Sequence, residues 1–280
     1  MKTKCSTFIL LSLLFIVSVA SAQEKYSLSF NYKTGETYRY RNVYAYDMTQ
    51  EINGQEMKMT GSSNSVLKFS TESVTPDGNI TFIISYEEMR TSMKNTLFDT
   101  TIDQKDLIGK RGKIIINKYG KELEKVVIDT AKSEKGLGGG GVAALYSVNF
   151  FIMPGHPVST GEIWVTDNID TTKSGAGYTI TNSHNEYTLL QKEQKDGHEC
   201  LNIAYTSKTE TTGKIFQMGF EMFVEGSGDT RGAIWFDPKT GILVAKESTV
   251  TQDMTYAMTG QMKMSIPSAQ TIHMTYKLIE

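Results

Sequence analysis

Cysteine is almost absent from the 280-residue chain. Of its two cysteines, Cys5 falls inside an N-terminal segment that reads as an export signal, so Cys200 stands alone and an intramolecular disulfide is excluded. An excess of either charge is also lacking. The 29 basic residues face 31 acidic ones for a formal net charge of −2, which becomes −4 when Lys2 and Lys4 leave with the signal. No nucleic-acid partner or anionic membrane surface is implied by that balance. Past residue 22 there is no apolar run of the ~20 residues a spanning helix needs, so no transmembrane segment is expected in the mature chain. Catalytic signatures are missing as well: there is no G-x-S-x-G elbow, no H-E-x-x-H and no cysteine inside a motif. His156 and His198 sit at turns, His184 lies in a polar stretch, and the carboxylates are not embedded in apolar sequence that would tune an acid or base. The expectation is a non-enzyme without a cofactor.

What the N-terminus does contain is a signal peptide over residues 1–22. Lys2 and Lys4 precede an apolar run from Phe8 to Val19, and Ala20-Ser-Ala22 supplies the small-residue cleavage site. The chain is expected to be exported, to a periplasm first of all or else secreted. The 258 residues left after removal of 22 are enough to bury a core without a disulfide.

Turn signals punctuate the rest. T-P-D-G-N (75–79), K-Y-G-K (118–121), K-D-G-H (195–198) and F-D-P-K-T-G (236–241) each separate β-rich runs. One unusual phrase occurs twice, as M-T-Q-E-I-N-G-Q-E-M-K-M-T at 48–60 and as M-T-Y-A-M-T-G-Q-M-K-M-S at 254–265. Before the first copy's turn, Tyr38, Tyr40, Tyr44, Tyr46, Met48 and Ile52 alternate with Arg39, Arg41, Asp47, Thr49 and Glu51. After it, Met57, Met59, Leu67 and Phe69 oppose Glu56, Lys58 and Lys68. The second copy repeats the pattern: Val250, Met254, Tyr256 and Met258 lead to Gly260, and Met262, Met264, Ile266, Ile272, Met274, Tyr276 and Leu278 return from it. Strict alternation of this kind specifies long strands with one apolar face, and long strands in one sheet must twist and curl.

A second echo pairs Gly35-Glu-Thr-Tyr38 with Gly161-Glu-Ile-Trp164. The chain therefore divides into an N-terminal β half (23–130), a Gly-rich linker and helix (131–160), and a C-terminal β half (161–280). The fold class expected is mainly β and antiparallel: two related curved sheets or half-barrels of long hairpins, with one short helix between the halves. That helix is placed at Val142 to Met153, ended by Pro154. The preceding run, Gly136 to Gly141, formally matches G-x-G-x-x-G. It follows a polar, unpatterned stretch and not a strand, so it reads as a linker and not as a dinucleotide site.

Methionine occupies the apolar stripes, and Phe216, Met218, Phe220, Met222 and Val224 read as one further stripe, so the concave face is expected to be Met-rich and aromatic throughout. Candidate ligand-binding residues are Tyr44, Met48, Met57, Met59, Phe216, Met218, Phe220, Met222, Met254, Met258, Met262 and Met264. Adaptable Met-rich surfaces suit variable apolar ligands such as a lipid or acyl chain. Two alternatives stand beside this reading. The face is a filled core, plugged by the helix, in a structural or protein-interaction module; or the Met-x-Met pairs bind Cu(I), which thioethers select. Against copper, period-two methionine is what any strand using methionine as its apolar residue displays.

The order of motifs, G-E-x-Y, N-G-Q-E-M-K-M, Leu107-Ile-Gly-Lys, Lys118-Tyr-Gly-Lys, an apolar helix, Pro154-Gly-His-Pro-Val158, Gly161-Glu-Ile-Trp164 and F-D-P-K-T-G, resembles an uncharacterised family of exported bacterial proteins, a domain of unknown function, over nearly all the mature chain. More distantly, the long hairpins with an interposed helix are similar to the lipoprotein-carrier (LolA-like) fold. That resemblance implies an unclosed β-barrel under a helical lid that shelters acyl chains, and it carries no site residue over.

Overall fold

The computed structural model describes residues 24–129, 150–174, 177–217, 220–258 and 263–279. The expected signal segment, the glycine run, residues 142–149 of the expected helix, Met218, Gly260 and Met262 lie outside them. Alternating sequence becomes strand throughout: β1 (Lys25–Tyr26), β2 (Thr37–Ile52), β3 (Gln55–Val74), β4 (Ile80–Asn95), β5 (Asp99–Asp103), β6 (Arg111–Ile116), β7 (Glu122–Val127), β8 (Val158–Ser159), β9 (Ile163–Ser174), β10 (Gly177–Lys195), β11 (His198–Gln217), β12 (Phe220–Asp237), β13 (Ile242–Met258) and β14 (Met264–Leu278). Asn53-Gly54 and Asp196-Gly197 connect their strands with positive φ at both turn residues, the backbone that matches strand twist in a two-residue hairpin.

The protein is mainly β and antiparallel. The two halves are not separate sheets, however. β14 pairs with β2 from Ser268↔Gln50 to Leu278↔Tyr40, so the strands run β7-β6-β4-β3-β2-β14-β13-β12-β11-β10-β9, with β5 beside β4, in one twelve-stranded sheet. The seam forms because both strands carry matching long apolar stripes. The Gly-Glu echo is structural: Gly35 N–H and Gly161 N–H donate to Thr71 O and Leu189 O, and Thr71 N–H and Leu189 N–H donate back to Glu36 O and Glu162 O.

The sheet curls, as the connecting hydrogen bonds require. Phe30 N–H donates to Lys118 O in the β6–β7 turn, and the next residue, Asn31, donates to Gly241 O in the β12–β13 turn. In a flat sheet β6 and β13 would stand five spacings apart, roughly 24 Å, whereas adjacent Cα atoms are ~3.8 Å apart. Ile152 O accepts from Trp164 Nε1 of β9 at 3.0 Å, and Met153 N–H donates to Tyr119 O at 2.8 Å. These two consecutive residues tie together strands that lie nine spacings apart along the sheet, about 43 Å if it were flat. One end of the sheet is thus rolled nearly into a barrel. Gly120 permits the closure: it has φ +86°, and a Cβ there would strike the Phe151 carbonyl.

Two extended straps, Leu28–Tyr32 and Phe150–Met153, fill that end. Phe30 touches the rings of Tyr32, Phe150, Phe151 and Phe236 at centroid distances of 4.9–5.9 Å. Phe82 meets Tyr32, Phe69 and Phe150, and Phe69, Phe82, Ile84, Leu189 and Leu201 are fully excluded from solvent. Tyr32 and Tyr40 form a closed polar trio with the Leu243 backbone, Tyr40 Oη donating to Leu243 O at 2.8 Å, so neither hydroxyl is orphaned in the core.

The expected helix at Val142 to Met153 is corrected where it is described. Phe150–Met153 are not helical, because their backbone groups bond to β9 and the β6–β7 turn instead of to one another. The helical element among the described residues is a single 3-10 turn, Lys105–Leu107. The apolar stripe read across 216–224 is also broken. β11 ends at Gln217 and β12 begins at Phe220, so the chain reverses inside it.

Candidate binding face of the sheet

Directly opposed residues in an antiparallel sheet share a face, so the pairing registers map the inner face rung by rung away from the filled end. One rung reads Asn42–Tyr276–Lys246–Ile234–Ile203–Leu189 across β2, β14, β13, β12, β11 and β10. The next contains Tyr44, Met274, Ser248, Gly232, Tyr205 and Tyr187. Beyond it come Tyr46, Ile272, Val250 and Thr230, then Met59, Met48, Gln270, Gln252 and Gly228. The mouth is rimmed by Met264, Met258, Met222 and Ile215 on a single rung.

Burial changes along this series. Ile234, Ile203 and Leu189 are 0% exposed, whereas Tyr44, Tyr46, Met48, Met57, Met59, Tyr256, Met258 and Met264 are half-buried. Met222 and Met254 are buried. Burial raises the phenols of Tyr44, Tyr46 and Tyr256 above their ordinary range, and the neighbouring rings of Tyr46 and Tyr256 add to the effect on Tyr44. A depression of about 390 Å³ across β3, β2, β14 and β13 belongs to the opposite, outer face, where Asp47, Thr49, Lys58, Thr251, Asp253 and Thr271 line it.

Nine of the twelve candidate residues therefore share the inner face: Tyr44, Met48, Met57, Met59, Phe220, Met222, Met254, Met258 and Met264, with Phe220 45% exposed at the tip of its hairpin. Phe216 is the exception. It pairs with Glu221 and stands on the outer face, because the turn after Gln217 reverses the chain. Met218 and Met262 lie outside the described residues.

The inner face is not Met-rich and aromatic throughout. The β9–β12 wall presents Thr166, Ser183, Thr209, Thr211, Gly226 and Thr230, with Thr181 and Thr211 hydroxyls 3.0 Å apart. The period-two Ser/Thr/Gly runs of 179–183, 207–213 and 226–232 carried that signal in the sequence. The face thus has a wall of Tyr, Met and Ile across β3, β2, β14 and β13, interrupted by Ser63, Ser248, Gln252 and Gln270, and a hydroxyl-and-glycine wall opposite.

No protein-family model matches the chain, and no curated protein matches it. The reading therefore rests on the residues themselves. Three histidines pair with neighbours at the surface, His156 with Glu162, His184 with Asp167 and His273 with Thr249, and His198 pairs with the buried Asp237. Cys200, two residues from His198, is 0% exposed. Burial first, and then the charge of Asp237, pushes its thiol up to about 12, so it holds no thiolate at neutral pH and is no nucleophile. Among the described residues no cluster of three or more His, Cys, Asp or Glu side chains is set to hold a metal. No helix of the described residues is long and apolar enough to cross a membrane.

Proposed function

We propose that this is an exported, non-catalytic envelope protein, periplasmic in the first place, that binds an apolar ligand such as a lipid or acyl chain on the Tyr/Met wall of its inner face. The observation carrying this reading is the contrast within one face. Two straps pack the rolled end until its side chains are fully buried, while toward the mouth of the same face Tyr44, Tyr46, Met48, Met59, Met258 and Met264 are only half covered. The incompletely covered apolar side chains of that wall gain free energy by taking up an apolar molecule, roughly 25 cal/mol for each Å² removed from water. Unbranched methionine side chains adapt to the shape of what they cover. An unclosed sheet filled at one end is also the kind of scaffold that the resemblance to the lipoprotein-carrier fold implies.

Uptake of a fluorescent long-chain fatty-acid probe, by the wild type and by Met274→Trp, tests the proposal. Met274 lies on the inner face between Tyr44 and Ser248 and is half-buried. The expected result is probe binding by the wild type and loss of binding in the variant, with the urea midpoint nearly unchanged. No uptake by the wild type, together with the ~1–3 kcal/mol destabilisation typical of overpacking, would establish the filled-core alternative instead.

A further inference from the structure

At the floor of the open half, where the aromatic filling ends, three polar side chains occupy adjacent positions on one inner rung: Asn42 on β2, Tyr276 on β14 and Lys246 on β13. Tyr276 is 3% exposed, and its hydroxyl has no hydrogen-bond partner. Its ring stacks on Tyr40 at 4.6 Å and 10°, which fixes its direction. The Asn42 Oδ1 is likewise buried and unpartnered. Lys246 Nζ lies 4.9 Å from the centre of the Tyr205 ring, and Tyr205 in turn lies against Gly232, where any Cβ would collide with it. Among the described residues no carboxylate forms an ion pair with Lys246. Glu247, the next residue along the chain, pairs with Lys195 on the outer face. Burial alone lowers the ammonium from 10.5 to about 8.

Buried polar groups are ordinarily satisfied, and an orphaned one costs free energy. Two such orphaned atoms and a cation without an ion pair, at neighbouring positions of one rung, leave hydrogen bonds that the chain does not itself complete. We propose that Lys246, Tyr276 and Asn42 bind the carboxylate of a long-chain amphiphile, whose hydrocarbon tail runs along the Tyr/Met wall toward the mouth. The ammonium and the phenol donate to the carboxylate oxygens. The Asn42 amide, turned over, adds its Nδ2–H₂, since its oxygen holds no bond that would be lost. A single cation with two neutral hydrogen-bonding partners matches a singly charged headgroup; a dianion would leave net charge buried. The strand is long enough for the tail. From Lys246 to Met258 the strand advances twelve residues, ~40 Å at ~3.3 Å per residue, against a bilayer core of ~30 Å that holds two chains end to end.

This inference rests on the apolar-ligand reading, and its test separates the two. The full mature protein is titrated with a long-chain fatty acid, with the fatty alcohol of the same chain and with acetate, as wild type, Lys246→Met and Tyr276→Phe. The expected result is that the acid binds the wild type more tightly than the alcohol and that acetate binds weakly. Lys246→Met is expected to lose roughly ten- to hundred-fold in affinity for the acid, the worth of one charge-assisted hydrogen bond, with the alcohol unaffected. Tyr276→Phe removes one oxygen from a packed ring and is expected to fold normally and weaken the acid alone. Equal binding of acid and alcohol, or an acid affinity indifferent to Lys246→Met, overturns the carboxylate site and leaves the apolar-ligand reading standing. Acetate binding as tightly as the acid overturns the amphiphile. Failure of the wild type to bind either long-chain compound overturns both readings.

Discussion

Replacing Lys246 with methionine removes a desolvated charge from the inner face without changing side-chain length greatly, and its effect on stability can be worked out. Burial lowers the ammonium from 10.5 to about 8 in the folded chain, and each unit is worth 1.36 kcal/mol of differential interaction. The native state therefore bears an upper bound of about 3 kcal/mol for holding the charge, reduced by water reaching a side chain that is only half-buried. Between about pH 8 and 10.5 the unfolded chain binds more protons at this site than the native one, so wild-type stability rises with pH across that window. Below about pH 8 both states are protonated and the penalty is fully present. The groups facing Lys246 from neighbouring strands are the phenols of Tyr205 and Tyr276, both raised by burial. Raised phenols act with the opposite sign, favouring the unfolded chain above pH 10, and they are common to both proteins, so the difference between them isolates the lysine. Urea unfolding of ligand-free protein at intervals from pH 7 to 10.5 is the assay. Lys246→Met is expected to be more stable by about 1–3 kcal/mol at pH 7, with the gap closing toward pH 10.5. A variant no more stable than wild type at pH 7, or a gap constant with pH, would refute the reasoning.

Phe82 is 0% exposed where the rings of Tyr32, Phe69 and Phe150 converge. Phe82→Ala is expected to cost about 3–5 kcal/mol in denaturant unfolding, and a loss under ~1 kcal/mol would mean that the straps do not hold the rolled end. The rim row Met222–Met258–Met264 is read as apolar lining: Cu(I) titration against a competing chelator is expected to reveal no stoichiometric tight site. Met258→Leu with Met264→Leu is expected to change stability by under ~1.5 kcal/mol, and a tight copper site abolished by that double replacement would reverse the assignment.

Much of the sheet was legible because alternation is a local property. Each side chain of a strand faces opposite its neighbour, so Tyr44, Met48, Met57 and Met59 could be assigned to one face with no partner strand in view, as could Lys58 and His273 to the other. The turns were legible for the same reason, since Asn53-Gly54 and Asp196-Gly197 adopt positive φ by their own chemistry. Phe216 was misplaced because Phe216, Met218, Phe220 and Met222 keep period two straight through a hairpin, and periodicity does not register a reversal of the chain. Phe150–Met153 read as the end of a helix because they close the apolar run Val142 to Met153 before a proline, and an apolar run does not by itself separate buried helix from extended chain. Backbone bonds to Tyr119 and Trp164, each distant along the sheet, decided the matter.

The sequence by itself determined strand content, turn positions and which side chains share a face, because these depend on residues within a few positions of one another. Only the tertiary structure decided that the two halves join through β2 and β14 into one sheet, that its ends roll together over two straps, and that one end is filled while the other stays half covered. It alone put Asn42, Tyr276 and Lys246 on one rung. Register between strands more than two hundred residues apart in the chain is chosen by the whole set of facing side chains at once, and no local pattern contains that choice.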